Sequence, residues 1–143
     1  MEILIIRELV RKAKAYGLDF GRDIADMSDE EIAAVYNGIG PEWMPRTIRA
    51  RLTSEWSELE PAAMIHDIDY GCADGSAASF HAANERLRDN IRKTADTVAT
   101  RFFSLKWWKL RLAASVCFEA VERFGLPAYL IATENKTKGI TNE

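Results

Sequence analysis

The sequence is poor in cysteine and contains no long apolar run. Its two cysteines, Cys72 and Cys117, are too few for the disulfide framework of a small secreted protein. No stretch reaches the roughly 18 consecutive apolar residues that a membrane-spanning helix needs. The short apolar run at residues 3–6 is followed by charge, whereas a secretion signal carries its charge first. These absences predict a disulfide-free, cytoplasmic protein with no signal peptide and no transmembrane segment.

An excess of basic residues is also absent. The chain has 19 Lys and Arg against 22 Asp and Glu, a net charge of -3. Because nucleic-acid binding depends on neutralising phosphates, we expect no nucleic-acid partner. Apolar residues make up 48% and charged residues 29% of the sequence, as in ordinary globular proteins. At 143 residues, this composition predicts a single domain over 1–143.

Apolar residues recur at the spacing of amphipathic helices along most of the chain, and no segment alternates well enough for a long strand. We therefore expect an all-α fold with at most a small hairpin. The predicted helices cover residues 3–16, 28–36, 42–60, 61–71, 77–100 and 103–124. A polar tail at 134–143 is expected to fray.

Local signals indicate where these helices begin and end. Ser28, with Glu31 three residues later, is typical of a capping box. Either Ser76 or Ser79 is expected to cap the helix that starts near residue 77. The sequence Gly125-Leu126-Pro127 should end the helix at 103–124.

The helix predicted over 103–124 carries two apolar strips. One contains Trp107, which we expect in the core. The second strip consists of Leu105, Trp108, Leu112 and Val116. A helix that is apolar on more than one side is normally buried, so we expect this helix to be central. Trp108 fits either a core or a lipid headgroup boundary.

The dipeptide His66-Asp67 interrupts the apolar helix predicted over 61–71. His66 and Tyr70 are four residues apart and share one helix face, while Asp67 points toward an adjacent face. Ionisable side chains in such a run are costly to bury unpaired, so they need a partner, a metal or a cleft. From the dipeptide alone, a hydrogen-bonded His beside a surface Asp is the interpretation we prefer to a functional site.

A glycine-rich segment, Tyr36-Asn37-Gly38-Ile39-Gly40, follows the helix predicted over 28–36. Glycines let the backbone turn several carbonyl groups toward one point. Such carbonyl oxygens are suitable ligands for a hard cation, and a carboxylate such as Asp67 can complete the set. A plain helix-ending turn is the alternative interpretation.

The order of these motifs resembles the phospholipase A2 superfamily. The loop Tyr36-Asn37-Gly38-Ile39-Gly40 precedes a helix with His66-Asp67-Ile68-Asp69-Tyr70, and a long helix follows. The match covers about residues 36–90 and is most similar to the disulfide-free branch found in parvovirus capsid proteins and in related phage and prophage proteins. It implies a phospholipase A2-like helical domain, with its core at about 28–124, two long antiparallel helices and a glycine-rich calcium-type loop.

The resemblance also implies a metal site. The backbone carbonyls of Tyr36, Gly38 and Gly40 would bind Ca²⁺ together with the Asp67 carboxylate. Ca²⁺ is therefore the expected cofactor.

The resemblance further implies a catalytic set. His66 would act as the general base on water, and the backbone N–H of Gly38 would stabilise the oxyanion. Tyr70 would hydrogen-bond the residue that orients His66. In the family that residue is an aspartate, whereas the matching position here is Asn84. A neutral amide can still accept a hydrogen bond from the imidazole, but it cannot offset the charge of an imidazolium.

We therefore expect a calcium-dependent phospholipase A2-like esterase, a hydrolase that cleaves the acyl ester of phospholipids through a His-activated water. The resemblance places it in the cytoplasm or in a phage particle, with a phospholipid membrane surface as its substrate and other phage structural proteins as further candidate partners. Two alternatives stay open. One is a non-catalytic phage structural or binding module with the same fold, and the other is an unrelated helical interaction protein in which His66-Asp67 is incidental.

The second histidine, His81, lies one turn before Asn84 and Glu85 on the helix predicted over 77–100. His66, His81 and Asp67 together allow a transition-metal site as an alternative. An exposed His81 paired with Glu85 explains the pattern without a metal, and this is the interpretation we prefer.

Overall fold

A computed structural model of the protein describes residues 3–21, 24–36, 47, 56–99, 101 and 103–140. Six α-helices have their bounds in these ranges: α1 (Ile3–Ala15), α2 (Asp29–Val35), α3 (Glu60–Cys72), α4 (Ala77–Val98), α5 (Leu105–Phe124) and α6 (Leu126–Ile140). Two short 3-10 turns lie at Ile24–Asp26 and Ser57–Leu59. Because this part of the chain contains no strand, the all-α prediction is confirmed. No disulfide joins Cys72 and Cys117.

The predicted helix starts agree closely with the structure. The Ser28 hydroxyl accepts from the Glu31 N–H at 3.2 Å, and the Ser28 N–H donates to the Glu31 carboxylate at 2.6 Å, so the capping box is present. Ser76, rather than Ser79, caps α4. Pro61 lies in the first turn of α3, where its missing N–H is not needed.

The helix predicted over 42–60 lies largely outside the described residues. Near its end, Ser57–Leu59 form a 3-10 turn, and the last predicted residue, Glu60, is already the first residue of α3. The last part of that prediction is therefore wrong as an α-helix.

Helix α6 was not predicted from the sequence. Gly125 ends α5 as predicted, but Pro127 lies in the first turn of a new helix, where proline is well tolerated. Tyr129 of α6 is completely buried, which gives this helix an anchor on the rest of the molecule. The helix continues to Ile140, and it includes residues 134–140 of the tail that we expected to fray.

Helices α4 and α5 form a long antiparallel pair. Three contacts run in opposite order along the two helices: His81 with Glu122, Arg88 over the ring of Phe118, and Asp96 with Trp107. The short connection between Val98 and Leu105 favours this arrangement. Trp107 is buried, as expected, and its indole N–H donates to the Asp96 carboxylate at 2.8 Å.

The expectation that α5 is central on both apolar strips is wrong. The second strip is exposed along its length: Leu105, Trp108, Leu112 and Val116 all lie at the surface. The first strip packs on α4, and within the described ranges nothing buries the second. None of the described helices combines the length and the apolarity needed to cross a bilayer.

Two apolar clusters hold the helices together. The larger cluster joins side chains from α1 to α5, among them Ile6, Ile32, Ile65, Ile91 and Leu110. The smaller cluster consists of Tyr70, Phe80, Ala83 and Tyr129, and it joins α3 and α4 to α6. Because α3 and α4 contribute to both clusters, polar residues between the apolar positions on these helices are enclosed.

Candidate functional site

Helix α3 places His66 and Tyr70 on one buried face. The two residues are one turn apart, and their ring centroids are 4.1 Å apart. Both rings are buried, because the neighbouring residues Ile65 and Ile68 turn this side of α3 toward the main core. A buried histidine on such a face needs a hydrogen-bond partner.

Asn84 of α4 is that partner. Its side-chain oxygen lies 2.9 Å from His66 Nε2 and accepts a hydrogen bond from the Tyr70 hydroxyl at 2.7 Å. Asn84 is completely buried, since it follows Ala83 on the face of α4 that packs against α3. The structure therefore brings together His66, Tyr70 and Asn84, three of the residues singled out from the sequence.

Burial keeps His66 neutral. Desolvation of the imidazolium lowers the pKa of His66 to about 4, although the contact with Asn84 works in the opposite direction. At neutral pH the ring is therefore neutral, with a proton on one nitrogen and a free lone pair on the other. This is the form that a general base must have before it takes a proton, but its low basicity means that the imidazolium needs stabilisation from its surroundings.

Asp67 lies on the other side of the imidazole. Its Oδ1 is 3.9 Å from His66 Nδ1, too far for a hydrogen bond. The Asp67 side chain is 34% exposed, so it borders the surface while His66 does not. Nδ1 therefore faces the carboxylate that the resemblance assigns to a metal.

The structure adds Glu122 of α5 to the site. Its Oε1 accepts from the Asn84 side-chain N–H at 2.8 Å, and its Oε2 lies 2.8 Å from His81 Nδ1. Burial of the carboxylate works to raise the pKa of Glu122, but the hydrogen bonds from Asn84 and His81 outweigh it and lower the pKa. Glu122 is therefore an anion that only accepts hydrogen bonds.

The predicted pairing of His81 with Glu85 is wrong. Both residues are on α4, whereas the partner found for His81 is Glu122 on α5. The antiparallel pairing of α4 and α5 presents Glu122 directly to His81, and a contact across two packed helices replaces the one within a single helix.

Tyr36 is the residue at which α2 ends. Its N–H donates to the Ile32 carbonyl at the end of the helix, and its ring is completely buried. The Tyr36 hydroxyl has no hydrogen-bond partner among the described residues. Burial, together with the negative charge of Glu60 and Asp67, raises the pKa of this hydroxyl.

The remaining predicted ligands, Gly38 and Gly40, lie outside the described residues, and so does the expected calcium loop. Among the residues that are described, no group of three or more His, Cys, Asp or Glu side chains could hold a metal. A transition-metal site at His66, His81 and Asp67 therefore has no support. The described part of the expected Ca²⁺ site consists of the Asp67 carboxylate and the Tyr36 carbonyl, both oxygen donors of the kind that a hard cation prefers.

Two residues of the site were not found from the sequence. Glu122 could have been found, because Asn84 and Glu122 lie at similar sequence distances from the connection between α4 and α5. In an antiparallel helix pair, residues at similar distances from the connection lie opposite each other. Tyr129, whose ring centroid is 5.1 Å from that of Tyr70, could not have been found without predicting α6.

Three comparisons with known proteins gave no match. No family model, no curated protein and no solved structure matches this chain.

Proposed function

We propose that this protein is a calcium-dependent phospholipase A2-like esterase of phage or prophage origin, in which His66 activates a water molecule. The observation that carries the proposal is the buried cluster of His66, Asn84 and Tyr70, whose hydrogen bonds measure 2.9 and 2.7 Å. These residues were selected from the sequence by their resemblance to a hydrolytic family. Asn84 is 18 residues from His66 and 14 from Tyr70 in the chain, and an incidental His-Asp dipeptide gives no reason for Asn84 to meet them.

The chemistry that these residues support is the hydrolysis of a carboxylic ester. His66 takes a proton from water through its free lone pair, the resulting hydroxide adds to the ester carbonyl, and the imidazolium returns the proton to the leaving alkoxide. Tyr70 and Asn84 hold the imidazole in place during this exchange. When bound by Asp67 and the carbonyls of Tyr36, Gly38 and Gly40, Ca²⁺ supplies positive charge for the developing oxyanion.

An exposed apolar surface next to the site supports a lipid substrate. Phe124 and Leu126 are 78% and 47% exposed, and they flank Gly125. A Cβ atom at Gly125 would lie 2.7 Å from the Tyr70 hydroxyl, so this turn is in contact with the His66 cluster. Large apolar side chains beside a polar site suit the boundary of a lipid layer.

The proposal is tested by the release of fatty acid from phospholipid vesicles. The purified protein should release fatty acid when Ca²⁺ is present, and a chelator should stop the release. His66→Gln should stop it as well, provided that circular dichroism shows the variant to be helical and folded. Equal release by the wild type, the chelated protein and His66→Gln would show that this chain is not the esterase.

A second pair of variants tests the lipid surface. Phe124→Ser should lower the rate on vesicles while leaving the rate on a soluble short-chain ester unchanged. Leu105→Ser is the matched control, because Leu105 is equally exposed, at 72%, but lies about 28 Å away at the other end of α5. Equal effects of the two substitutions on vesicles would argue against a lipid surface at the α5–α6 turn.

A non-catalytic module with the same fold is the second candidate. Two observations favour it: the neutral Asn84 takes the place of an aspartate, and the pKa of His66 is lowered to about 4. Calorimetric titration with Ca²⁺ separates the two functions. Tight binding that Asp67→Asn abolishes supports the esterase, whereas no binding by the wild type supports a structural or binding role.

A further inference from the structure

Glu122 controls which way the Asn84 amide points. The Asn84 N–H donates to Glu122 Oε1 at 2.8 Å. If the amide were rotated by half a turn, its oxygen would face the carboxylate at the same distance, and two acceptors would oppose each other. The ionised Glu122 therefore holds the Asn84 oxygen on the side of His66 and Tyr70.

The direction of the amide decides the tautomer of His66. With its oxygen toward His66, Asn84 only accepts, so the proton of the neutral imidazole must be on Nε2, 2.9 Å away. The other tautomer would place the lone pair of Nε2 against the Asn84 oxygen. The Tyr70 hydroxyl donates to the same oxygen, and both lone pairs of that oxygen are then used. Nδ1, on the side of Asp67, is left as the basic atom.

We propose that Glu122 is a positioning residue that acts through Asn84 to keep His66 in the Nε2–H tautomer. A single aspartate at position 84 would both accept the hydrogen bond from the imidazole and carry the negative charge, whereas here two residues share these roles. Asn84 accepts from the imidazole, while Glu122 carries the negative charge one side chain further away. When His66 takes up a proton, the amide dipole lies between the two charges and is polarised by both. The tautomer follows from the contacts alone, but its importance for catalysis rests on the proposed function.

The same contacts predict opposite tautomers for the two histidines. Because Glu122 only accepts, the His81 nitrogen that faces it, Nδ1, must carry a proton. His66 should therefore have its proton on Nε2, and neutral His81 on Nδ1. Nitrogen-15 NMR distinguishes protonated from unprotonated ring nitrogens, and the loss of signals in His66→Gln assigns them.

The experiment compares Glu122→Gln with Glu119→Gln. Glu119 lies one turn earlier on α5, is exposed, and pairs with Arg123, so its substitution should leave the His66 signals unchanged. A glutamine at 122 can present either its carbonyl or its N–H group to Asn84. Glu122→Gln should therefore move the His66 nitrogen shifts toward each other as the two tautomers mix, at about pH 8, where imidazoles are neutral. Esterase activity should fall about tenfold or more.

A double variant that moves the negative charge from residue 122 to residue 84 should restore what Glu122→Gln loses. Asn84→Asp alone places two carboxylates about 2.8 Å apart, the present separation of Asn84 and Glu122, and should destabilise the protein. The double variant Asn84→Asp with Glu122→Gln keeps one negative charge, and the glutamine N–H can donate to the new aspartate. It should restore the Nε2–H tautomer, the stability and the activity.

The outcomes separate the two proposals. If Glu122→Gln keeps the wild-type His66 shifts, or if wild-type His66 carries its proton on Nδ1, Glu122 does not position His66. If the shifts change as expected but the wild type releases no fatty acid with Ca²⁺, the positioning contact stands and the esterase proposal fails. Should Glu122→Gln not fold, the tautomer of wild-type His66 still tests the proposal, because a proton on Nδ1 would contradict it.

Discussion

At the scale of single residues, the site is a set of buried polar groups that satisfy one another. Asn84 uses its oxygen for His66 and Tyr70 and its N–H for Glu122. In a medium of low dielectric, such a network is strong when complete and costly when one member is lost. Substitutions within it should therefore act on stability and on function together.

The neutral state of His66 makes the stability of the protein depend on pH. Its pKa is about 4 in the folded chain and about 6.5 in an unfolded one. Between these values the unfolded chain binds a proton that the native protein does not, so the free energy of unfolding falls as the pH falls. The loss should approach about 3 kcal/mol at pH 4.

This pH dependence is measured by urea unfolding of the wild type and of His66→Gln between about pH 7 and pH 4. Because all other titrating groups are shared, the difference between the two proteins isolates His66. A difference that stays constant over this range would mean that His66 titrates normally in the folded protein.

Two tyrosine hydroxyls allow stability to be distinguished from function. Tyr70→Phe removes the hydrogen bond to Asn84, and Tyr129→Phe removes one to the Ser76 carbonyl at 2.9 Å. Each substitution should cost about 1 kcal/mol of unfolding free energy. Only Tyr70→Phe should also lower the release of fatty acid, because the Tyr129 hydroxyl donates to the Ser76 carbonyl rather than to the Asn84 side chain. Similar activity of the two variants would show that the Tyr70 hydroxyl has no role in the reaction.

At the scale of elements, the turn between α5 and α6 is fitted closely around Gly125. A Cβ atom there would lie 2.4 Å from the Val121 carbonyl oxygen and 2.7 Å from the Tyr70 hydroxyl. The first of these atoms belongs to the backbone of α5, so no side-chain rotation can move it away. Any side chain at this position must therefore move the start of α6 or displace Tyr70.

Gly125→Ala should destabilise the protein by about 1–3 kcal/mol and should change the NMR signals of the Tyr70 ring. Gly17→Ala is a useful comparison, because Gly17 has a φ of 65° and no atom within 4 Å of an added Cβ. That variant should lose stability through backbone strain alone and leave the Tyr70 signals unchanged. An unaltered Tyr70 ring in Gly125→Ala would contradict the close fit.

At the scale of the whole molecule, the sequence predicts most helices but not all of their partners. The capping box at Ser28 and the apolar stripe of α4 are local signals, and both are found in the structure. His66, Tyr70 and Asn84 could be selected because a resemblance linked them. Glu122 and α6 depend on which helices pack together, and that is decided by contacts between distant residues. The strip of α5 that contains Leu112 was expected to be buried and is exposed for the same reason, since a strip of apolar residues does not reveal whether another element covers it.

The packing of α6 divides the molecule into two apolar clusters of unequal size. In the smaller one, the Tyr129 ring lies 5.1 Å from Tyr70 and 5.3 Å from Phe80, measured between centroids. Among the α6 side chains that the structure describes, the other large apolar ones, Leu126, Leu130 and Ile131, are exposed. Tyr129 is therefore the main apolar anchor of α6, and we expect α6 to open at a lower free energy than α4 and α5.

Tyr129→Ala should release α6 and cost about 3–5 kcal/mol, as truncation of a buried aromatic ring does. Leu130→Ala, at the neighbouring exposed position, should change stability by no more than about 0.5 kcal/mol. Urea unfolding gives the two free energies, and hydrogen exchange shows where protection is lost. In Tyr129→Ala the amides of α6 should exchange rapidly while those of α4 and α5 stay protected, because the larger cluster does not include Tyr129. Uniform loss of protection across all helices would instead show that both clusters unfold as one unit.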